Sequence, residues 1–194
     1  LDNIKEYKNS LNIVGAGSNL LISSEGVEGC VILTKNLDKI TQIDEKSFKV
    51  ECGVKNAMFS KTLLQNSLTK GEFLIGIPGF IGGGIFMNAG AHGENIKDII
   101  KSVEIFDINE NKITNIDAND ISFEYRNSSL MKKGIVILSA VFEFQKGNKE
   151  KIQERMDFHV NYRAKNHPPL TEPSCGSTFK NPEGDYAANL RHNP

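Results

Sequence analysis

Two glycine-rich segments of this 194-residue chain have the composition of loops that bind a ligand through their backbone. The longer segment, residues 76–93, holds seven of the chain's 17 glycines and contains no Asp, Glu, Lys or Arg. Because glycine has no Cβ, its backbone can approach a ligand closely and adopt positive φ, at about 0.5–1 kcal/mol per site relative to alanine. Tight turns between buried elements are the alternative interpretation of such glycines.

The shorter segment, Val14-Gly-Ala-Gly-Ser-Asn-Leu-Leu-Ile22, lies between two apolar stretches. Its consecutive amides can form an anion-binding nest, to which Ser18 and Asn19 can add side-chain donors for a phosphate oxygen. It lacks the Gly-Lys-Ser/Thr ending of a P-loop and the third glycine of a dinucleotide-binding fingerprint. Since Cys30-Val-Ile-Leu33 follows as a strand rather than a long helix, the segment is not the opening of a Rossmann fold.

Two polar segments further along carry side chains suited to catalysis. In Phe123-Glu-Tyr-Arg-Asn-Ser-Ser129, the planar guanidinium of Arg126 can hold a carboxylate through two hydrogen bonds. Residues 173–182 are rich in turn formers and include three hydroxyl side chains, those of Ser174, Ser177 and Thr178. Taken alone, the first segment is also explained by a surface ion pair and the second by a capped loop, and neither contains the Gly-x-Ser-x-Gly elbow of a hydrolase.

Strands that could position these segments dominate the first 145 residues. Phe48, Val50 and Cys52 alternate with polar or charged neighbours, as do Val103 and Ile105, which predicts half-buried strands. Residues 135–144 form a nearly continuous apolar run, which is typical of a buried strand.

Two helices are also predicted. Residues 56–66 have helical spacing, with Gly71 beyond them as a stop signal. Residues 149–163 form the second helix, in which Ile152, Met156 and Val160 repeat every four residues. We expect those three side chains to form one apolar stripe that faces the core.

Charge and hydropathy restrict the classes of partner. With a net charge of −1, the chain has no excess of positive charge that would attract nucleic acid or an anionic membrane. The longest uncharged stretch, residues 73–93, reaches transmembrane length, but its glycines, Pro78 and Asn88 make it a poor membrane span. Small-molecule partners are therefore favoured.

The cysteines and the chain ends suggest where the protein works. Cys30, Cys52 and Cys175 lack metal-ligand spacing, and no charged-then-apolar signal segment opens the chain, which fits a reducing cytoplasm. Because the sequence starts at Leu1 and stops at Pro194, we expect a fragment of a longer protein.

Taken in order, the four segments resemble those of the FAD-dependent UDP-N-acetylenolpyruvoylglucosamine reductases, also called UDP-N-acetylmuramate dehydrogenases. Residues 15–21 resemble the pyrophosphate loop of that family, and residues 76–91 resemble its flavin-cradling signature. Phe123-Glu-Tyr-Arg126 resembles its Tyr-Arg element, and residues 173–182 resemble the segment that carries its catalytic serine. The resemblance covers nearly the whole chain.

The resemblance implies an α+β fold, namely the two-lobed FAD-binding unit of the vanillyl-alcohol-oxidase/PCMH type followed by the start of a separate α+β substrate-binding domain. On this basis residues 1–36 form part of the first FAD-binding lobe and residues 37–166 form the second lobe. Residues 167–194 begin the truncated substrate-binding domain.

The implied reaction is the NADPH-driven reduction of UDP-N-acetylglucosamine enolpyruvate to UDP-N-acetylmuramate for peptidoglycan synthesis. The resemblance implies that Arg126 stabilises the developing enolate, that Ser177 protonates the neighbouring carbon, and that FAD carries the hydride. The implied substrate contacts are Tyr125, Lys180 and Asn181. The implied cofactor contacts are Gly15, Ala16, Gly17, Ser18, Asn19, Leu20, Gly76, Ile77, Pro78, Gly79, Gly83, Asn88, Ala89, Gly90 and Ala91, with no metal.

Some features of the family pattern are not assigned. The family's catalytic glutamate lies in a part of the substrate domain that this chain lacks, and neither Glu172 nor Glu183 is given that role. His92 is interpreted as a loop residue that forms hydrogen bonds, and Cys175 as a small buried filler.

Two other functional classes stay open at this point. One is a flavin-binding fragment without catalysis, and the other is a related FAD-dependent oxidase. We would not expect an oxidase to carry both the Tyr125-Arg126 pair and the pattern of residues 176–182. We expect a cytoplasmic monomer that binds NADPH and the enolpyruvyl nucleotide, with no nucleic acid or membrane partner.

Overall fold

A computed structural model describes residues 10–169, 171–177, 179–185 and 187. Its helices are α1 (Asn56–Gln65), α2 (Ile81–Phe86) and α3 (Lys149–Asn166). Its strands are β1 (Leu11–Val14), β2 (Cys30–Leu33), β3 (Ile40–Gln42), β4 (Ser47–Glu51), β5 (Leu68–Thr69), β6 (Gly90–Ala91), β7 (Glu94–Asn95), β8 (Ile100–Asp107), β9 (Lys112–Asp117), β10 (Phe123–Glu124), β11 (Asn127–Ser128), β12 (Ile135–Glu143) and β13 (Gln145–Lys146). Short 3-10 turns span Thr34–Asn36, Glu72–Gly76, Ile96–Asp98 and Ala118–Asp120.

The core is built on a five-stranded sheet with the order β3-β4-β12-β8-β9, in which all neighbours are antiparallel. The apolar run predicted as a buried strand is β12, the central strand. Its residues Ile137, Ala140 and Phe142 are buried, because β12 has neighbours on both edges and is covered by packed elements. An antiparallel sheet with separate helices is the arrangement of an α+β protein, and it confirms the predicted class.

Helix α1 packs on this sheet through Phe59, whose side chain is fully buried. The ring centroid of Phe59 lies 5.3 Å from that of Phe142 and 5.6 Å from that of Phe144. Burying one such side chain stabilises the fold by about 1.5–3 kcal/mol. The helix ends at Gln65, within one residue of the predicted end, and the left-handed backbone of Ser67, with φ of 54°, turns the chain away before Gly71 is reached.

Helix α3 confirms the second predicted helix but corrects its buried face. Ile152 and Met156 are buried as expected, whereas Val160 is 46% exposed and His159 is only 5% exposed. At 100° per residue, Val160 lies about 80° from Ile152 around the helix axis, and His159 lies only about 20° from it on the other side. The prediction that Val160 faces the core was therefore wrong, and His159 occupies that face.

The two glycine-rich segments adopt different structures. Residues 15–29 form turns and irregular chain between β1 and β2, which pair in parallel, so a strand follows the short glycine loop as predicted. The uncharged residues 73–93 contain a 3-10 turn, the six-residue helix α2 and β6. Within the described part of the chain, no helix is long and apolar enough to cross a membrane.

Candidate cofactor-binding site

The two glycine-rich segments contact each other. The hydroxyl of Ser18 donates a hydrogen bond to the carbonyl of Pro78, with the two oxygens 3.1 Å apart. A Cβ built on Gly15 would lie 3.5 Å from the ring of Phe80, and one on Gly79 would lie 2.8 Å from the Ser18 oxygen. The tertiary structure therefore joins the two loops that the sequence identified separately.

The short loop contains one hydrogen-bonded turn, and its residues 15–19 are half-buried or exposed. Leu20 N donates to Gly17 O at 3.3 Å, and Gly17 has the left-handed φ of 72° that favours glycine. Among the described residues, none accepts a hydrogen bond from the amides of Ala16, Gly17, Ser18 and Asn19. Successive unpaired amides of this kind form a concave site for an anion such as a pyrophosphate.

The long loop is bound through two hydrogen bonds to Asn56, the first residue of α1. The amide of Asn56 donates to Gly79 O at 3.1 Å, and its side-chain Nδ2 donates to Ile77 O at 3.3 Å. Gly79 itself has φ of 121°, which an L-residue rarely adopts. Sequence reasoning missed Asn56, although an asparagine at a helix start is a signal for bonds to neighbouring backbone.

The three consecutive glycines of α2 serve two purposes. A Cβ on Gly82 would lie 2.7 Å from Cys52 Cβ, and one on Gly84 would lie 2.7 Å from Ile96 Cδ1. These two glycines therefore allow α2 to pack closely on the core. Gly83 is exposed, and a Cβ there would have no heavy atom within 4 Å. Close packing therefore does not explain Gly83, which leaves a bare patch on the surface of α2.

Asn88 supports the loop that follows α2. This residue is 3% exposed and has a left-handed φ of 42°. Its Nδ2 donates to Glu124 O at 3.0 Å, and its Oδ1 accepts from Lys97 N at 3.2 Å. A Cβ on Gly90 would lie 2.4 Å from Asn95 Oδ1, so β6 and β7 pair only with glycine there. The remaining predicted contacts in this stretch are the buried Ala89 and the half-buried Ala91.

Tyr125 and Arg126 form the turn between β10 and β11. Arg126 has a left-handed φ of 55°, which is uncommon for a residue other than glycine, asparagine or aspartate. Its guanidinium carbon lies 5.4 Å from the centroid of the Tyr125 ring, a cation–π contact on a 54% exposed tyrosine. Ser128 Oγ donates to Phe86 O at 2.8 Å, so the turn is attached to the end of α2.

The segment that follows α3 carries the remaining predicted site residues. The predicted site residues there are Ser177, Lys180 and Asn181, all exposed. Asn181 Oδ1 accepts from Ala187 N at 3.1 Å, a local bond. Between described residues, no hydrogen bond or ion pair joins Ser177 to Arg126. Thr178 lies outside the described residues, and Cys175 is half-buried rather than fully buried.

Helix α3 packs against the start of the long loop. Arg163 Nη1 donates to Gly76 O at 3.5 Å, and a Cβ on Gly76 would lie 3.5 Å from His159 Cβ. The ring of His92 lies 4.4 Å from that of Tyr162 and 5.0 Å from that of His159. His92, interpreted from sequence as a residue forming loop hydrogen bonds, thus makes ring contacts with α3.

Two buried groups near the loops have shifted pKa values. Burial and the neighbouring His92 lower the pKa of His159 below its ordinary value of 6.5, while Glu94, with Oε2 at 3.7 Å from Nε2, opposes this shift. Burial raises the pKa of Cys52 to about 11. In the described chain, no group of three or more His, Cys, Asp or Glu side chains is arranged to hold a metal ion.

Comparison of the sequence with known proteins identifies relatives of this chain. A protein-family profile described as "FAD binding domain" matches residues 1–117. The chain is 41% identical over 186 residues to the UDP-N-acetylenolpyruvoylglucosamine reductase of Clostridium beijerinckii, covering 96% of this chain and 60% of that protein. It is 38% identical over 180 residues to the reductase of the same name from Lactococcus lactis subsp. cremoris, covering 93% and 59%.

A solved structure agrees with these sequence relatives. The crystal structure of UDP-N-acetylenolpyruvylglucosamine reductase (MurB) from Thermus caldophilus matches with a TM-score of 0.82 and 29% identity, covering 97% of this chain and 68% of that one. The chain thus spans about 60% of the length of the curated relatives it matches. Since the family profile covers more than half of its residues, this chain belongs to the FAD binding domain family.

Proposed function

We propose that this protein is the FAD-binding part of a UDP-N-acetylmuramate dehydrogenase. The whole enzyme would use NADPH to reduce UDP-N-acetylglucosamine enolpyruvate for peptidoglycan precursor synthesis in the cytoplasm. The names of its relatives at about 40% identity support this proposal, together with the TM-score of 0.82 to a reductase of that kind. We further propose that it acts as a monomer, which size-exclusion chromatography with light scattering tests directly.

The observation that carries the proposal is the attachment of the Tyr125-Arg126 turn to α2. The bond from Ser128 to Phe86 O fixes the hairpin to the helix that carries the open Gly83 surface. A guanidinium is charged at every physiological pH. An oxidoreductase that stabilises a developing carboxylate-linked negative charge needs such a fixed cation near its cofactor.

The residues present fit FAD. The amides of residues 16–19 suit a pyrophosphate, and the exposed Gly83 with the partly exposed Phe86 offers an apolar surface on α2 for a ring system. FAD, when bound, supplies the hydride transfer. The protein contributes binding, orientation and the electrostatic field.

Each side chain then has a proposed role. Arg126 holds the substrate carboxylate and stabilises the negative charge that develops on it. Tyr125 shapes the pocket beside that arginine, while Lys180 and Asn181 contact the substrate. Ser177 donates the proton to carbon. We propose that residues 1–36 and 37–166 are the two FAD-binding lobes and that residues 167–194 begin the substrate-binding domain.

A second candidate, a flavin-binding fragment without turnover, is favoured by one observation. In the described residues after α3, the hydrogen bonds of Ser174 and Asn181 are local. The isolated 194-residue chain would then bind FAD while lacking an assembled proton donor. A related oxidase is less well supported, because the Tyr-Arg turn has no evident role in one.

Spectroscopy of the purified chain separates these candidates. Bound flavin gives absorbance bands at roughly 370 and 450 nm. Under anaerobic conditions, NADPH should bleach the 450 nm band, and adding UDP-N-acetylglucosamine enolpyruvate should restore it. A protein that stays colourless after incubation with FAD contradicts the proposal. A yellow protein that NADPH bleaches but the substrate does not restore supports the fragment without turnover.

A further inference from the structure

Two side chains tie the hairpin of β10 and β11 to the end of α2. Ser128 Oγ donates to Phe86 O at 2.8 Å, and Asn88 Nδ2 donates to Glu124 O at 3.0 Å. Ser128 and Asn88 are 2% and 3% exposed, so water competes little for either bond. The two bonds hold the two strands of the hairpin, one each, at Glu124 next to the turn and at Ser128 one residue further from it.

The hairpin needs such attachment because its own pairing is short. Only two residue pairs join β10 to β11, Phe123 with Ser128 and Glu124 with Asn127. A two-stranded hairpin of this size is marginal by itself in water. The left-handed backbone of Arg126 adds strain that the surroundings must offset. Without external bonds, the turn would sample several conformations.

The bonding of Asn88 also argues against a direct contact with the cofactor through its side chain. Both polar atoms of its amide are engaged by the protein, one by Glu124 O and the other by Lys97 N. Its left-handed backbone turns the chain between α2 and β6, where asparagine is the residue type other than glycine that tolerates positive φ.

We propose, on the basis of the proposed function, that Ser128 and Asn88 are positioning residues for Arg126. They hold the turn at the end of α2, so that the guanidinium occupies one place relative to the Gly83 surface. Their effect on the reaction passes through Arg126, and their side chains touch neither substrate nor cofactor.

The neighbouring serine provides a matched control. Ser129 Oγ accepts a hydrogen bond of 3.1 Å from Ser122 N at the open end of the hairpin, where Ser129 N also donates to Ser122 O at 2.8 Å. Ser128→Ala and Ser129→Ala therefore each remove one hydroxyl and one hydrogen bond from adjacent positions. Only Ser128→Ala detaches the hairpin from α2.

Hydrogen–deuterium exchange on the 194-residue chain tests positioning without any turnover. Loss of one buried hydrogen bond should speed exchange of the Arg126 and Asn127 amides by roughly fivefold in Ser128→Ala relative to Ser129→Ala. Equal exchange in the two variants overturns the proposal. If Ser128→Ala does not fold, Asn88→Gly serves instead, because glycine keeps the left-handed backbone while removing both side-chain bonds.

The second readout is the rate at which the enolpyruvyl substrate restores the 450 nm band of the NADPH-reduced protein. We expect Ser128→Ala to slow this step about tenfold, since small displacements of a charged group weaken its stabilisation of the reaction. FAD affinity and melting temperature should match those of Ser129→Ala. In an Arg126→Ala background, Ser128→Ala should have no further effect, and an undiminished effect there overturns the proposal.

The two readouts distinguish a failure of the proposed function from a failure of positioning. If the wild-type protein binds no FAD, the proposed function fails, whereas a flavin band that the substrate never restores identifies the fragment without turnover. In both cases exchange alone then decides whether Ser128 holds the turn. If the wild type reacts but Ser128→Ala behaves like Ser129→Ala in both readouts, the positioning role is wrong.

Discussion

Ser18 donates a hydrogen bond of 3.1 Å to the carbonyl of Pro78 and so joins two glycine loops 60 residues apart in the sequence. We predict that Ser18→Ala lowers FAD affinity by about fivefold, because one hydrogen bond contributes roughly 1 kcal/mol. Fluorescence titration of the apoprotein with FAD measures the effect. Ser23→Ala is the control, since Ser23 Oγ accepts only a local bond from Glu25 N at 3.2 Å. Equal affinities in the two variants would contradict the role given to this contact.

The three glycines of α2 should respond differently to alanine. Gly83→Ala should leave the free energy of unfolding of the apoprotein unchanged or raise it by up to about 1 kcal/mol, because alanine favours helix and the site is open. The same variant should bind FAD at least tenfold more weakly if the cofactor packs on that surface. Thermal unfolding with and without FAD measures both quantities.

Gly82→Ala provides the contrast. Its Cβ would lie 2.7 Å from Cys52 Cβ, so we expect a loss of about 1–3 kcal/mol in the absence of any cofactor. If Gly82→Ala and Gly83→Ala lower the free energy of unfolding of the apoprotein equally, the claim that Gly82 is required for packing and Gly83 is not is wrong.

The three thiols should differ in reactivity. Burial raises the pKa of Cys52 to about 11, so it is almost entirely protonated at pH 8, and its buried sulfur is inaccessible. Cys30 and Cys175 are half-buried and should react with a thiol reagent in the native protein, whereas Cys52 should react only in denaturant. Rapid labelling of Cys52 under native conditions, located by peptide mass spectrometry, would refute this prediction.

The buried His159 should make the fold sensitive to acid. Its pKa is lowered in the folded state, mainly by burial, so the unfolded state binds the proton more readily. The stability associated with the neutral imidazole is therefore present above pH 6.5 and lost as the pH falls below that value.

Denaturant unfolding at several pH values checks this sign. Between pH 7.5 and pH 5.5, we expect wild-type stability to fall more steeply than that of His159→Gln. His167→Gln, at an exposed position just after α3, should keep the wild-type slope. Glu94, Arg155, Glu72 and His92 surround His159 and are unchanged in both variants. Parallel slopes for wild type and His159→Gln would contradict the assignment.

Much of this protein follows from local features of its sequence. The glycine clusters, the alternation around Phe48 and Val50, and the apolar run of residues 135–144 each act within a few residues, through backbone freedom or side-chain period. They therefore predicted the loops, the strands and two helices. The order of the four segments also pointed to the family that the comparisons bear out.

Tertiary structure determined which of these residues contact one another. Nothing near Ser18 in the sequence specifies Pro78, and nothing near Asn88 specifies Glu124, because such bonds depend on how distant elements pack. Packing also determined that Gly83 alone of the α2 glycines is open and that His159 replaces Val160 on the buried face of α3. A local pattern fixes the backbone states a segment can adopt, while its neighbours across the fold determine which side chains reach the site.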